Sequence, residues 1–170
     1  MWYIIIGVII LFVIIVATGG DKRKEINEKL IEAGYDPEQK ILISKYLGGH
    51  PDINDTKPHT SLFFKDGELH IMEDMPWNMP VKLAEIPGAN VKNVVVEDQS
   101  SVERRVTLGR MLLVGIFAFA WKKKKKNEQA YLILEWSDGR FEHETIFEFE
   151  GRDAMVKANT ARNGVIKWLR

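Results

Sequence analysis

"TSLFFKDGELHIME", residues 60–73, sets two apolar-rich runs on either side of Asp66-Gly67. An Asp-Gly pair supplies the positive-φ positions of a tight hairpin turn, and the flanking apolar residues repeat with a period of two. The stretch reads as a β-hairpin. The same signal recurs at Ser137-Asp138-Gly139, between "QAYLILEW" (129–136) and "RFEHETIFEFE" (140–150). Two such hairpins place the body of the chain among β folds.

Working outward, "VKLAEI" (81–86) reads as a short strand turned by Pro87-Gly88, and "NVKNVVVED" (90–98) as the next. "SSVERRVTLGR" (100–110) carries alternation from Val102 to Val106, while "DINDTKPHT" (52–60) and "MPWNMP" (75–80) read as loops. The last segment, "GRDAMVKANTARNGVIKWLR" (151–170), spaces Ala154, Ala158, Ala161, Val165 and Leu169 by three or four, the stripe of an amphipathic helix. On the N-terminal side, "DKRKEINEKLIEAG" (21–34) predicts a short helix with Ile26, Leu30 and Ile31 on one side and Gly34 as its stop. Asp36-Pro37-Glu38-Gln39 then offers a cap and an N1 proline, but Ile41 to Tyr46 also alternates, so residues 37–47 fit a helix or a strand.

The first eighteen residues, "MWYIIIGVIILFVIIVAT", contain no charged side chain. As a helix they would extend roughly 27 Å, close to the ~30 Å hydrocarbon core of a bilayer. A cleaved signal peptide and a buried core helix are the alternatives; the former lacks a basic n-region. The expectation is a single-span anchor. Lys22, Arg23, Lys24 and Lys29 follow the stretch, so the positive-inside rule places the N-terminus outside and the rest in the cytoplasm, with Trp2 and Tyr3 in the outer interfacial belt.

Lys122, Lys123, Lys124, Lys125 and Lys126 follow an apolar run in "GIFAFAWKKKKKNEQAYLILEW" (115–136). From Met111 to Trp121 the uninterrupted run covers roughly 16 Å as a helix, about half a bilayer core, and Arg110 precedes it. A hairpin explains the run better than a second span. The lysines there are a solvated edge or, in the functional reading, a contact for anionic headgroups. Acidic and basic residues balance at 24 each, which argues against nucleic acid. The absence of cysteine removes disulfides and thiolate metal sites.

Three stretches resemble a family. "YLGGHPDI" (46–53), "VEDQSSVERRVTLGRMLLVGIFAFAWKKK" (96–124) and the ending from "YLILEW" through "FEFEGRDAMVKANTARNGVIKWL" are similar to bacterial single-span membrane proteins with a pleckstrin-homology-like domain. The resemblance covers Tyr46 to the C-terminus and implies two packed antiparallel sheets capped by the last helix. The loop that binds ligands in well-studied members matches "KDGE" (65–68), which offers one lysine and two acids, so no binding residue carries over.

The expected fold class is mainly β with α (α+β). An N-terminal transmembrane helix (1–19) leads through a helical linker (20–45) to a pleckstrin-homology-like domain of about seven antiparallel strands with a C-terminal helix (46–170). His50, His59, His70 and His143 show no close metal-ligand spacing, and no nucleophile elbow, phosphate loop or dinucleotide fingerprint is present. His50 reads as a turn residue and Trp77, Trp121, Trp136 and Trp168 as core or rim. No catalytic residue, metal site or cofactor is expected. The functional expectation is a non-catalytic scaffold on the cytoplasmic membrane face, held to the bilayer through residues 2–18 and binding a protein partner or itself. The alternative is anionic phospholipid sensing through Lys122 to Lys126.

Overall fold

In the computed structural model, the structure describes residues 5–6, 20–102 and 129–170. Seven strands form one antiparallel sheet: β1 (Ile41–Gly48), β2 (Lys57–Lys65), β3 (Glu68–Glu73), β4 (Val81–Pro87), β5 (Val91–Asp98), β6 (Gln129–Ser137) and β7 (Glu142–Glu150). Their order is β4-β3-β2-β1-β7-β6-β5. Within the described residues helix α1 covers 20–32, and helix α2 runs from Ala154–Trp168.

The joint of the sheet is β1. Ile41 to Tyr46 pair with β2, while Lys45 to Gly48 pair with β7 across a register shift between Tyr46 and Gly48. Such a bulge bends its strand and increases the local twist. The bend lets all seven strands, including edges β4 and β5, give side chains to one core: Ile43, Leu62, Ile71, Ile86, Val94, Leu134 and Phe147 are all members. Helix α2 closes this inner face with Ala154, Ala158, Ala161 and Val165 buried, and Arg162 Nε donates to the Val94 carbonyl at 2.9 Å.

Both hairpins form where Asp-Gly predicts them. Asp66 and Gly67 take φ of +53° and +86°, and β2 and β3 pair from Thr60↔Glu73 to Lys65↔Glu68. At the second turn, Asp138 Oδ1 accepts from the backbone N–H groups of Arg140 and Phe141, both at 2.7 Å. The 37–47 ambiguity divides: a 3₁₀ turn occupies Pro37–Gln39, capped by Asp36, and a strand follows. Strand β2 starts at Lys57, inside the stretch expected to be loop, and residues 99–102 are helical, which takes in the start of the 100–110 segment, expected to alternate from Val102.

The expected architecture is corrected at its N-terminal end. Among the described residues no helix is long and apolar enough to cross a membrane. Within the described residues helix α1 covers 20–32, and its apolar residues Ile26 and Leu30 are taken up by Phe63 and Met72 of the sheet. The fold is an α+β domain of a seven-stranded antiparallel sheet with a C-terminal helix, and the expected pair of packed sheets is one continuous sheet. The single-span pleckstrin-homology-like membrane protein is therefore withdrawn as the description of this chain. With it go the bilayer contact through residues 2–18, the N-terminus-outside topology at the cytoplasmic membrane, the membrane-held scaffold with its protein partner or self-association, and the anionic-lipid alternative. Trp2, Tyr3 and Lys122 to Lys126 lie outside the described residues.

Candidate functional site on the outer face of the sheet

Period-two alternation sends Phe63 of β2 and Glu68, His70 and Met72 of β3 away from the main core. Register places Phe63 opposite His70 and Glu85 of β4 on His70's other side. Helix α1 lies over this outer face: Leu30, Phe63 and Met72 are buried together, with Ile26, Tyr35 and Met79 against them. Ile31, expected on the apolar side, is 62 % exposed.

The end of α1 is held by several independent contacts. Tyr35 N–H donates to the Leu30 carbonyl at 2.8 Å and Gly34 takes φ of +82°. This is the left-handed helix stop, in which the residue after glycine packs against the last turn. Lys65 Nζ donates to the Ala33 carbonyl at 2.8 Å and lies 5.1 Å from the centre of the Tyr35 ring. The Tyr35 hydroxyl and His70 Nδ1 share a hydrogen bond of 2.8 Å.

Two features stand out on this face. The first is a groove of about 560 Å³ between α1 and the β3–β4 loop, walled by Ile26, Leu30, Leu42, Met75 and Trp77. Its volume is within the range of small-molecule sites. Asp74 fixes the base of the loop: its N–H donates to the His59 carbonyl at 2.7 Å, and its carboxylate accepts from Ser61 Oγ at 2.9 Å and Lys40 Nζ at 2.7 Å. The loop then turns Trp77 outward, 60 % exposed and at φ of +62°. A bulky residue in the left-handed region costs roughly 1–3 kcal/mol, and such strain concentrates at binding sites. Arg23 also lines the groove.

The second feature is a cluster at the far end of the same face. His70 is 5 % exposed, its Nε2 lies 3.2 Å from Glu68 Oε2, and ligand atoms of Glu68, His70 and Glu85 all lie within 4.8 Å of one another. Lys82 Nζ donates to Glu85 Oε2 at 2.6 Å, and this bond holds the Glu85 carboxyl below its ordinary range.

Of the site residues expected from sequence, Lys22, Arg23 and Lys24 stand exposed on α1, with Arg23 alone among them lining the groove. His50 is a buried turn histidine. Its Nδ1 accepts from the Asp52 N–H at 3.2 Å, so Nε2 carries the proton and donates to the Glu85 carbonyl at 3.1 Å. Sequence reasoning missed the Glu68, His70 and Glu85 cluster and the presentation of Trp77. Glu68 and His70, two apart on a strand, share a face, and that signal was available; Glu85 joins them only through the register of β4. No family model and no curated protein matches the chain.

Proposed function

We propose that this domain is a non-catalytic binding module that holds a small molecule with a flat apolar body and one acidic group in the groove between α1 and the β3–β4 loop. The observation that carries this reading is Trp77, turned to solvent at a strained backbone angle above an apolar groove, where burial in the core would have been the unstrained use of an indole. Leu42 and Met75 add exposed apolar surface at 67 % and 42 %. Of the groove's two cations among the described residues, Lys40 is committed to Asp74, which leaves Arg23 for an acidic group on the ligand. A guanidinium fork suits a carboxylate.

Calorimetric titration of the full chain with 1-naphthoate, and with 1-naphthalenemethanol as its neutral counterpart, tests the reading. Naphthoate is expected to bind more tightly than the alcohol, Trp77→Ala to abolish binding of both, and Arg23→Gln to bring naphthoate down to the level of the alcohol. Naphthoate binding that survives Trp77→Ala, or an absence of binding by both probes, would overturn it.

A further inference from the structure

The geometry points to a second, separate site: Glu68, His70 and Glu85 form a binding site for a divalent first-row transition cation, best matched to zinc. One imidazole nitrogen and two carboxylates are a zinc-type donor set, and no thiolate is present to favour a softer ion.

The distances fit. Ligands about 2.0–2.2 Å from a tetrahedral zinc lie about 3.3–3.6 Å from one another. His70 Nε2 and Glu68 Oε2, at 3.2 Å, already form one edge of such a polyhedron. The third ligand, Glu85, is exposed and has to move least against packing, since all its ligand-to-ligand separations are within 4.8 Å. Adjacent strands hold the set: His70 and Glu85 are paired directly across β3 and β4. Solvent supplies the fourth position.

The imidazole is also oriented as a ligand should be. Metal-bound histidines fix the ring through a hydrogen bond at the other nitrogen. Here Nδ1 meets the Tyr35 hydroxyl at 2.8 Å, while the ring stands edge-on to Tyr35 with centroids 5.5 Å apart. Zinc at Nε2 places the ring proton on Nδ1, which then donates to the Tyr35 oxygen. Two carboxylates balance the charge of the dication. Lys82 must then leave Glu85, and its side chain, 46 % exposed, can swing into water. Because Tyr35 follows directly on α1, the occupied site would also hold that helix to the sheet.

The test is chelator competition with Zn²⁺ on the full chain, with Co²⁺ absorption as a report of the coordination sphere. One equivalent is expected. Glu85→Gln, at an exposed position that leaves the fold intact, and Glu68→Gln should each weaken zinc at least tenfold. Tyr35→Phe should weaken it about tenfold by releasing the ring. Lys82→Met should tighten binding, because it removes the cation that competes for Glu85; a merely structural ion pair predicts no such gain. His59→Gln, away from the cluster, should change nothing. Zinc affinity unaltered by both glutamate substitutions, or lost in His59→Gln, or no binding at all, would overturn the assignment.

Discussion

On the inner face of the sheet every strand contributes to one core closed by α2, whereas the outer face is closed piece by piece. Over β2 and β3 the cover is α1, with three fully buried side chains and a set of polar ties at its end. Over β6 and β7 a separate cluster of Leu47, Val102, Tyr131, Ile133 and Ile146 is buried. The inner face is held by non-directional apolar burial spread over the chain, so its loss is global. Among the described residues the α1 contact rests on few apolar groups, and the geometry of its end comes from named bonds: Lys65 to Ala33 and Tyr35 to His70. Local opening is expected where buried apolar contacts are fewest. The candidate groove and cation site both lie under or beside α1, on the part of the molecule where local opening is expected first.

The largest expected effect separates the two faces. Phe147 is fully buried, with its ring 5.9 Å from that of Tyr46. Phe147→Ala should cost about 3–5 kcal/mol and lower the urea midpoint of the whole domain. Leu30→Ala removes a buried side chain from the smaller cluster and should cost about 2–3 kcal/mol, read as lost amide protection in residues 20–32 while β6 and β7 stay protected. Equal loss of protection in β6 would show that the two faces unfold as one unit.

Gly34→Ala sharpens the contrast at the level of a single turn. The glycine's φ of +82° is one that a side chain resists, and an added Cβ would sit 3.1 Å from Lys65 Cε. The left-handed angle costs about 1–2 kcal/mol, and displacing Lys65 would free the Ala33 carbonyl as well. The measurement is hydrogen exchange in α1, which should rise while the midpoint of global unfolding moves little. Unchanged exchange would mean that the helix stop is not what fixes α1.

Much of this contrast was legible in the sequence, and the gaps have physical causes. The Asp-Gly hairpins and the alanine stripe of α2 could be read because turn chemistry and period both repeat locally. Strand β1 could not be separated from a helix because "ILISKYLG" is short and is divided between two partners, so neither face alternates throughout. The start of β2 was hidden by Lys57-Pro58-His59, a strand end with the composition of a loop, in which Pro58 and His59 are exposed. The charge-free run at residues 1–18 was read by length and hydropathy alone, properties that say nothing about what the following helix packs on. At the candidate cation site, Glu68 and His70 are two apart and readable. Glu85 needs the β4 register, and Tyr35 needs the docking of α1, which are tertiary facts.

The smallest expected effect concerns pH and tests the inner face through His50. This imidazole is 5 % exposed and stacks on Trp136 at 5.1 Å between centroids, and His143 also stacks on that indole at 4.4 Å. Burial lowers the His50 pKa below its ordinary value of 6.5, opposed by the Glu85 carbonyl and the Asp52 carboxylate, while His143 adds to the lowering. The unfolded chain therefore takes up a proton near the ordinary value that the folded chain refuses until lower pH. Stability is complete above that value and declines as pH falls from it toward the folded pKa. Asp138, held at about 2 by His143 and two backbone N–H groups, loses its contribution only between its ordinary 3.8 and that value, below the pH range of the unfolding measurement. Urea unfolding between about pH 7.5 and about pH 5 should thus show a slope that His50→Gln flattens. A slope that survives the substitution would assign the titration to another group and leave the inner face indifferent to acid in this range.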